Sequence, residues 1–396
     1  PFTSKVCGRT ATVNTPLESD GARITRRKLR HLDVCADQGL PIEDPRGAGF
    51  ENIRFIHECL PESDADEIDT RCEFLGYTCR LPILISCMTG GTGDGSPFNV
   101  LLARLAQSWG IPIGLGSMRI LFHDDGALPD FSIRRYAPDV PILANIGAAQ
   151  LVPLGVGRIM EMARRLEVDA LVVHLNPGQE IVQPGGDRYY RGIMDAIGKL
   201  VDLGELPVIV KETGHGIRPR RVRELLGQGV AWVDLAGAGG TDWLQVEACR
   251  AQGLGPEESL TATVAETCVS WGLPTALILG ALAAGSGVMS ERGLPVWLKT
   301  REARPVIASG GIESGLDVAR ALALGAGLVG MARPFVLAHA SGKEAGLERL
   351  ILETAESLKA AMFLAGAKNC AALRQRRLMV DGGFLAAVGQ LAALED

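Results

Sequence analysis

The stretch HLNPGQEIVQPGGD, residues 174–187, gathers one imidazole (His174), three carboxamides (Asn176, Gln179, Gln183) and two carboxylates (Glu180, Asp187). It follows directly on the apolar run Ala170-Leu171-Val172-Val173. Such a set can hold a metal ion and an anion together. One carboxylate plus substrate phosphate oxygens is a common way to hold Mg²⁺, which keeps several of its waters. On this argument Glu180 is the best metal ligand, set against the plainer reading of a solvated loop glutamate. His174 reads equally well as a satisfied core histidine.

Other apolar runs also end in groups that can do chemistry: Thr89 and Gly90, Ser117 and Arg119, Asn145, Lys211 and Glu212, Gly239 to Thr241, Ser309 to Gly311, and Met331 with Ala332. Ser309-Gly310-Gly311 and Gly330-Met331-Ala332 read as a phosphate cradle. Glycine lets backbone N–H groups approach phosphate closely, and a helix N-terminus adds a favourable dipole. The alternative is a pair of tight turns. Lys211 can place a cation near an electron-rich cofactor or a carbonyl, or pair with Glu212 or Glu180 at the rim. Glu247 falls on a helical segment and by itself reads as a surface residue.

Eight apolar runs carry these ends: 83–91, 112–119, 141–148, 170–177, 207–214, 232–241, 305–312 and 328–334. Each is followed by a helical pattern. In NVLLARLAQSWG, for instance, Leu101, Leu102, Leu105 and Trp109 recur at helical spacing. Strands that are apolar at nearly every position belong to a parallel sheet covered by helices. Eight such units predict an α/β fold, a (β/α)₈ barrel of about 250 residues, with its site at the C-terminal ends of the strands. The rival, a doubly wound sheet, lacks its G-x-G-x-x-G fingerprint here. The crossover from about 242 to 304 is long enough for an insertion or lid. Residues 1–75 are polar and irregular, an N-terminal arm or cap, and residues 76–396 form the barrel with a C-terminal helix.

Composition narrows the function. The net charge of −6 argues against a nucleic-acid binder, so anion binding must rely on the one dense basic run, Arg26 to His31. Nine scattered cysteines without C-x-x-C fit neither a disulfide framework nor a zinc site, and a reduced, cytoplasmic setting is expected. The N-terminal residues lack the apolar core of a secretory leader. The apolar stretch Leu273 to Gly285 is too short to span a membrane and reads as a buried helix or loop.

From residue 26 to about 370 the chain resembles the type 2, FMN-dependent isopentenyl diphosphate isomerases. The resemblance rests on ordered motifs: R-K-x-x-H (Arg27, Lys28, His31), M-T-G-G (88–91), G-S-x-R (116–119), A-N-I-G-A (144–148), H-L-N-x-x-Q-E (174–180), Q-P-x-G-D (183–187), V-K-E (210–212), G-x-G-G-T-x-W (237–243), W-G-x-P-T (271–275) and A-S-G-G-I (308–312). It implies a flavoenzyme that interconverts isopentenyl and dimethylallyl diphosphate by a 1,3-allylic proton shift, using reduced FMN, Mg²⁺ and NADPH as reductant.

It implies that Cys87, Met88, Thr89, Ser117, Asn145, Lys211 and Thr241 meet the flavin, with Gly310, Gly311, Met331 and Ala332 at its phosphate. Arg27, Lys28, His31, Ser117, Arg119, His174, Asn176 and Gln179 then bind substrate, and Glu180 binds the metal. Gln179, Lys211, Trp243 and Glu247 are the implied catalytic set. The resemblance further implies a homo-oligomer, a tetramer or octamer. The chain departs from the family pattern at Met118 (usually Gln), Gly185 (usually Glu), Ala236 (often Ser) and Cys87. Met118 is expected to remove a substrate-side amide. Two alternatives stay open: an FMN oxidoreductase of the hydroxy-acid oxidase kind, and a non-catalytic binder of flavin or prenyl diphosphate.

Overall fold

The computed structural model describes residues 20–88, 90, 96–251, 256–284 and 304–395. Three short strands come first: β1 (Ile53–Phe55), then β2 (Cys72–Phe74) and β3 (Tyr77–Cys79), which form an antiparallel hairpin. The eight apolar runs become β4 (Ile83–Ile85), β5 (Ile113–Ser117), β6 (Ile142–Gly147), β7 (Ala170–Leu175), β8 (Val208–Glu212), β9 (Trp232–Asp234), β10 (Arg304–Ala308) and β11 (Ala326–Met331). They close into one parallel barrel in the order β10-β11-β4-β5-β6-β7-β8-β9. The β10 and β11 ends therefore lie across the mouth from those of β6 and β7, four places away around the ring.

Inside, Leu84, Leu143, Val172, Ile209, Ile307 and Leu328 fill the barrel, and Phe74 and Cys79 of the hairpin pack onto the same layer. Tyr77 donates to Asp169, just before β7, at 2.8 Å, which places the hairpin at the N-terminal end of the strands. That end is plugged, so the opposite end is the one free to carry a site.

The crossovers are mostly helical. Helix α2 (Ser96–Trp109) follows β4; α3 (Leu151–Leu154) and α4 (Val156–Arg165) follow β6; α5 (Pro177–Val182) and α6 (Ile193–Leu203) follow β7; α7 (Pro219–Gly227) follows β8. Between β9 and β10 lie α8 (Trp243–Ala251), α9 (Pro256–Thr267) and α10 (Thr275–Ala284). Then come α11 (Gly315–Ala323), α12 (Arg333–Leu364), α13 (Cys370–Arg374), β12 (Leu378–Val380) and α14 (Gly382–Glu395). The expected buried segment at 273–285 is α10, buried along nearly its whole length.

Two expectations need correction. No α-helix follows β5 among the described residues; three 3₁₀ turns span Met118 to Tyr136 instead. Asp124, Gly126 and Pro129 favour turns over a continuous helix there. The N-terminal segment is also not irregular throughout, since Asp20–Ala36 is a helix, α1, that packs against α8 and α12 and buries Ile24 and Cys35. Its charged residues hide the period. Strand β1 pairs with β12, joining the N-terminal segment to the C-terminal one.

Candidate active site at the barrel mouth

A cavity of 710 Å³ opens at the C-terminal ends of the strands, with residues of α1 along one side. Every described residue of the implied site lines it except Glu247, and Thr89 lies outside the described residues. The first group comes from α1. Lys28 Nζ donates to the carbonyls of Gly90 and Ser117 at 2.5 and 2.8 Å and stands over the Phe131 ring at 5.5 Å. Burial, then the neighbouring Arg27 charge, pushes the Lys28 ammonium down to about 7. Arg27 is also lowered by burial, against the attraction of Glu180 and Glu247.

His31 and Gln179 converge on Glu247. His31 Nε2 lies 2.8 Å from Glu247 Oε1, and Gln179 Nε2 donates to the same oxygen at 2.9 Å. Arg250 Nε donates to Oε2 at 2.7 Å. Glu247 is wholly buried behind the cavity wall, where burial raises its pKa but the His31 bond and the His31 and Arg250 charges prevail, holding it at about 2. It is an ionised anchor one step behind the wall rather than a wall residue. The indole of Trp243, at the start of α8, meets the His31 ring edge-on at 5.2 Å.

The loop after β7 forms a second knot. Asn176 Nδ2 donates to Gln179 Oε1 and Glu180 Oε1, both at 3.0 Å. Glu180 Oε2 accepts from the Asp187 N–H at 2.7 Å and from Gln183 at 3.3 Å. Asp187 in turn receives Arg119 Nη1 and Gln150 Nε2, each at 2.7 Å. His174 Nδ1 lies 2.9 Å from Asn145 Oδ1. Burial and the charges of Lys211, Lys28 and Arg119 press His174 down to about 3, so its ring is neutral.

Lys211 pairs with neither Glu212 nor Glu180 through a side chain. Its ammonium donates to the Glu212 carbonyl at 2.8 Å and stands 3.5 Å from Asp234, which also accepts from Ser309 Oγ at 2.5 Å. Asp234, Gln150 and His215 were not singled out from the sequence. An acidic residue inside the apolar run WVDLAG was the available signal for Asp234.

Whether FMN suits this cavity can be judged from what the residues leave unsatisfied. Gly310 and Gly311 have φ of 95° and 69°, and a Cβ on Gly310 would come within 2.0 Å of the Gly237 carbonyl, so only glycine fits the turn. Ala332 directly precedes α12, a helix broken at Lys343, whose N-terminus favours an anion. Ser86 Oγ, Thr213 Oγ1 and Arg119 Nε, all from lining residues, are buried without a hydrogen-bond partner. Such atoms await a polar ligand. For a metal, no three His, Cys, Asp or Glu gather among the described residues. The described residues thus offer no all-protein cage, and a hard divalent cation here would need ligand oxygens beside a single carboxylate such as Glu180. Met118 is fully buried in the core and does not line the cavity, which corrects its expected place at the substrate.

The same architecture recurs in solved flavoproteins. A mandelate oxidase mutant with a monooxide FMN adduct matches at a TM-score of 0.59 and 17% identity, over 90% of this chain and 100% of that one. A flavocytochrome b2 variant with sulfite bound matches at 0.62 and 19%, over 91% and 84%. Residues 294–380 match the FMN-dependent dehydrogenase family. The barrel is thus one shared with a class of FMN-dependent enzymes, which residues 294–380 resemble in sequence. Within that class, isopentenyl-diphosphate delta-isomerases of Borrelia garinii subsp. bavariensis, Borreliella afzelii and a Nostoc species share 40%, 37% and 38% identity, over 92%, 92% and 90% of this chain and 96% of each of theirs. The chain belongs to the type 2, FMN-dependent isopentenyl-diphosphate delta-isomerase family.

Proposed function

We propose that the chain interconverts isopentenyl diphosphate and dimethylallyl diphosphate by a 1,3-allylic proton shift, with reduced FMN and Mg²⁺. One observation carries the reading. The cavity has the glycine cradle of β10 and β11 on one wall, and Arg119, His174, Asn176, Gln179 and Glu180 from the β5 and β7 ends on other parts of its wall. A flavin phosphate and a substrate diphosphate can then bind in one cavity without competing for the same groups.

In the reaction one proton adds to the terminal methylene carbon and another leaves C2, with no net redox change. Reduced FMN, when bound, supplies an electron-rich face and acid–base chemistry for that exchange. Gly310, Gly311, Met331 and Ala332 would hold its phosphate, and Lys211, Asn145 and Thr241 would face its ring system. Glu180 would hold Mg²⁺ with diphosphate oxygens. Arg27, Lys28, Arg119 and Asn176 supply cations and an amide to the diphosphate, whose negative charge would draw His174 back toward its protonated form. Gln179 is oriented by its neighbours: its NH₂ donates to Glu247 and its oxygen accepts from Asn176. Helix α1 and Trp243 restrict water near the reacting carbons, where a developing cation would otherwise be captured.

The test is anaerobic incubation with isopentenyl diphosphate while flavin absorbance is followed. Dimethylallyl diphosphate should accumulate with the flavin oxidation state unchanged. Stoichiometric flavin reduction by a hydroxy acid, with no isomer formed, would instead support an oxidase. Against that reading, His339 packs against the Phe98 ring, centroids 4.4 Å apart and tilted by 36°, and does not line the cavity.

A further inference from the structure

We infer that His215 is a positioning residue whose ring ties together the two segments that present Gln179 with Glu180 and Trp243 with Glu247. The ring is buried, between elements far apart in sequence. Its Nε2 lies 3.2 Å from Asp242 Oδ1, and that same oxygen accepts the Leu244 N–H at 2.8 Å. Asp242 thereby caps the first turn of α8, the turn that begins at Trp243. On the other side, Nδ1 lies 3.9 Å from Glu212 Oε1. The second Glu212 oxygen accepts the N–H groups of Thr213, Gly214 and His215 at 2.6 Å and of Gly216 at 3.2 Å, which holds the whole turn after β8.

The first turn of α5 packs closely against the ring. A Cβ built on Gly178 would stand 2.9 Å from His215 Cε1 and 3.0 Å from Nδ1, so glycine is what allows the loop of Gln179 and Glu180 to sit so low. The His215 carbonyl accepts the Leu273 N–H at 3.0 Å, bringing in the segment before α10.

Three carboxylates act on the ring: Glu212 at the end of β8, Asp242 before α8, and Asp44 of the N-terminal segment, itself paired with Arg46 at 2.7 Å. Burial disfavours the imidazolium, but the Asp242 bond and these negative charges outweigh it and lift the pKa above the ordinary 6.5. With the ring neutral, the cation between the Glu212 and Asp242 carboxylates is lost. A folded-state pKa above the unfolded one means the stabilisation is complete below 6.5 and disappears as pH rises through the folded value. The kcat profile, read at saturating substrate and so apart from the Lys28 limb in kcat/KM, should therefore show an alkaline limb that belongs to no group in contact with substrate.

The kinetic part of this inference rests on the isomerase reading; the titration does not. Histidine-labelled protein, titrated by NMR without substrate and assigned with His215→Gln, should show one imidazole still protonated above pH 6.5. The Trp243 fluorescence, identified by subtraction of Trp243→Phe, should change over the same pH range. In isomerase assays His215→Gln should lower kcat about tenfold, lose the alkaline limb of kcat while keeping the Lys28 limb of kcat/KM, and keep FMN affinity. Should that variant not fold, Asp242→Asn should shift the His215 titration downward. A His215 that titrates at or below 6.5 overturns the inference, as does a folded His215→Gln with the wild-type pH profile. Wild-type protein with no isomerase activity at any pH would count against the proposed function, and the titration would still decide the role of His215.

Discussion

Gln179 Nε2 donates to Glu247 Oε1 across 2.9 Å, so a wall amide takes its orientation from a carboxylate buried behind it. The same oxygen lies 2.8 Å from His31 on α1. One anion thus joins α1, the β7 loop and α8, and the position of the amide depends on all three.

Replacing Glu247 with Gln removes that anchor while preserving shape. The variant should fold and bind FMN but lose about 100-fold in kcat/KM, measured by isomer formation. Stability carries a further signature. The folded pKa of Glu247 lies at about 2, below the ordinary 4.5, so its contribution of about 3 kcal/mol is present above 4.5 and is lost as pH falls through 2. Urea unfolding of Glu247→Gln should show a weaker acid-side loss over that interval than the wild type.

Glu180 tests the metal assignment. Glu180→Gln should raise the Mg²⁺ needed for half-maximal activity about tenfold or more and raise KM, while FMN binding, read from quenching of flavin fluorescence, stays put. Mg²⁺ activation identical to wild type would refute the assignment.

How much of this was legible beforehand differed from element to element. The eight barrel strands were, because parallel strands are apolar on both faces and end in polar or glycine turns, as Val172-Val173-His174 and Ile307-Ala308-Ser309 do. Helix α1 was not, because its buried stripe is masked by a dense run of basic residues, of which Arg27 and Lys28 turn toward the cavity while Arg26 and Arg30 stay exposed. Spacing could not reveal that Lys211 meets Asp234, since that pairing arises only when β8 and β9 lie side by side. The residues at the cavity, and Glu247 behind them, were legible through motifs; Asp234 and His215, which meet their neighbours only in the folded chain, were not.

Lys28 should govern the pH dependence of binding. Its ammonium loses its proton near pH 7 in the free protein, because burial and Arg27 disfavour the charge. Substrate needs that charge, so kcat/KM for isopentenyl diphosphate should fall about tenfold per unit as pH rises above 7, and Lys28→Met should remove that limb while lowering the plateau.

Met118 offers a contrast. It is wholly enclosed by core residues, so Met118→Gln, which restores the residue common in the family, should bury an unsatisfied amide here. The expected result is a loss of about 1–3 kcal/mol in urea unfolding with KM unchanged. A lowered KM with intact stability would return position 118 to the substrate side.

The most direct test is proton NMR of isopentenyl diphosphate in D₂O, run anaerobically with this protein, reduced FMN and Mg²⁺. The account predicts dimethylallyl methyl signals that grow in with deuterium at the exchanging carbons, at a rate that falls in Glu247→Gln. Unchanged isopentenyl signals, with FMN bound to the protein, would contradict it.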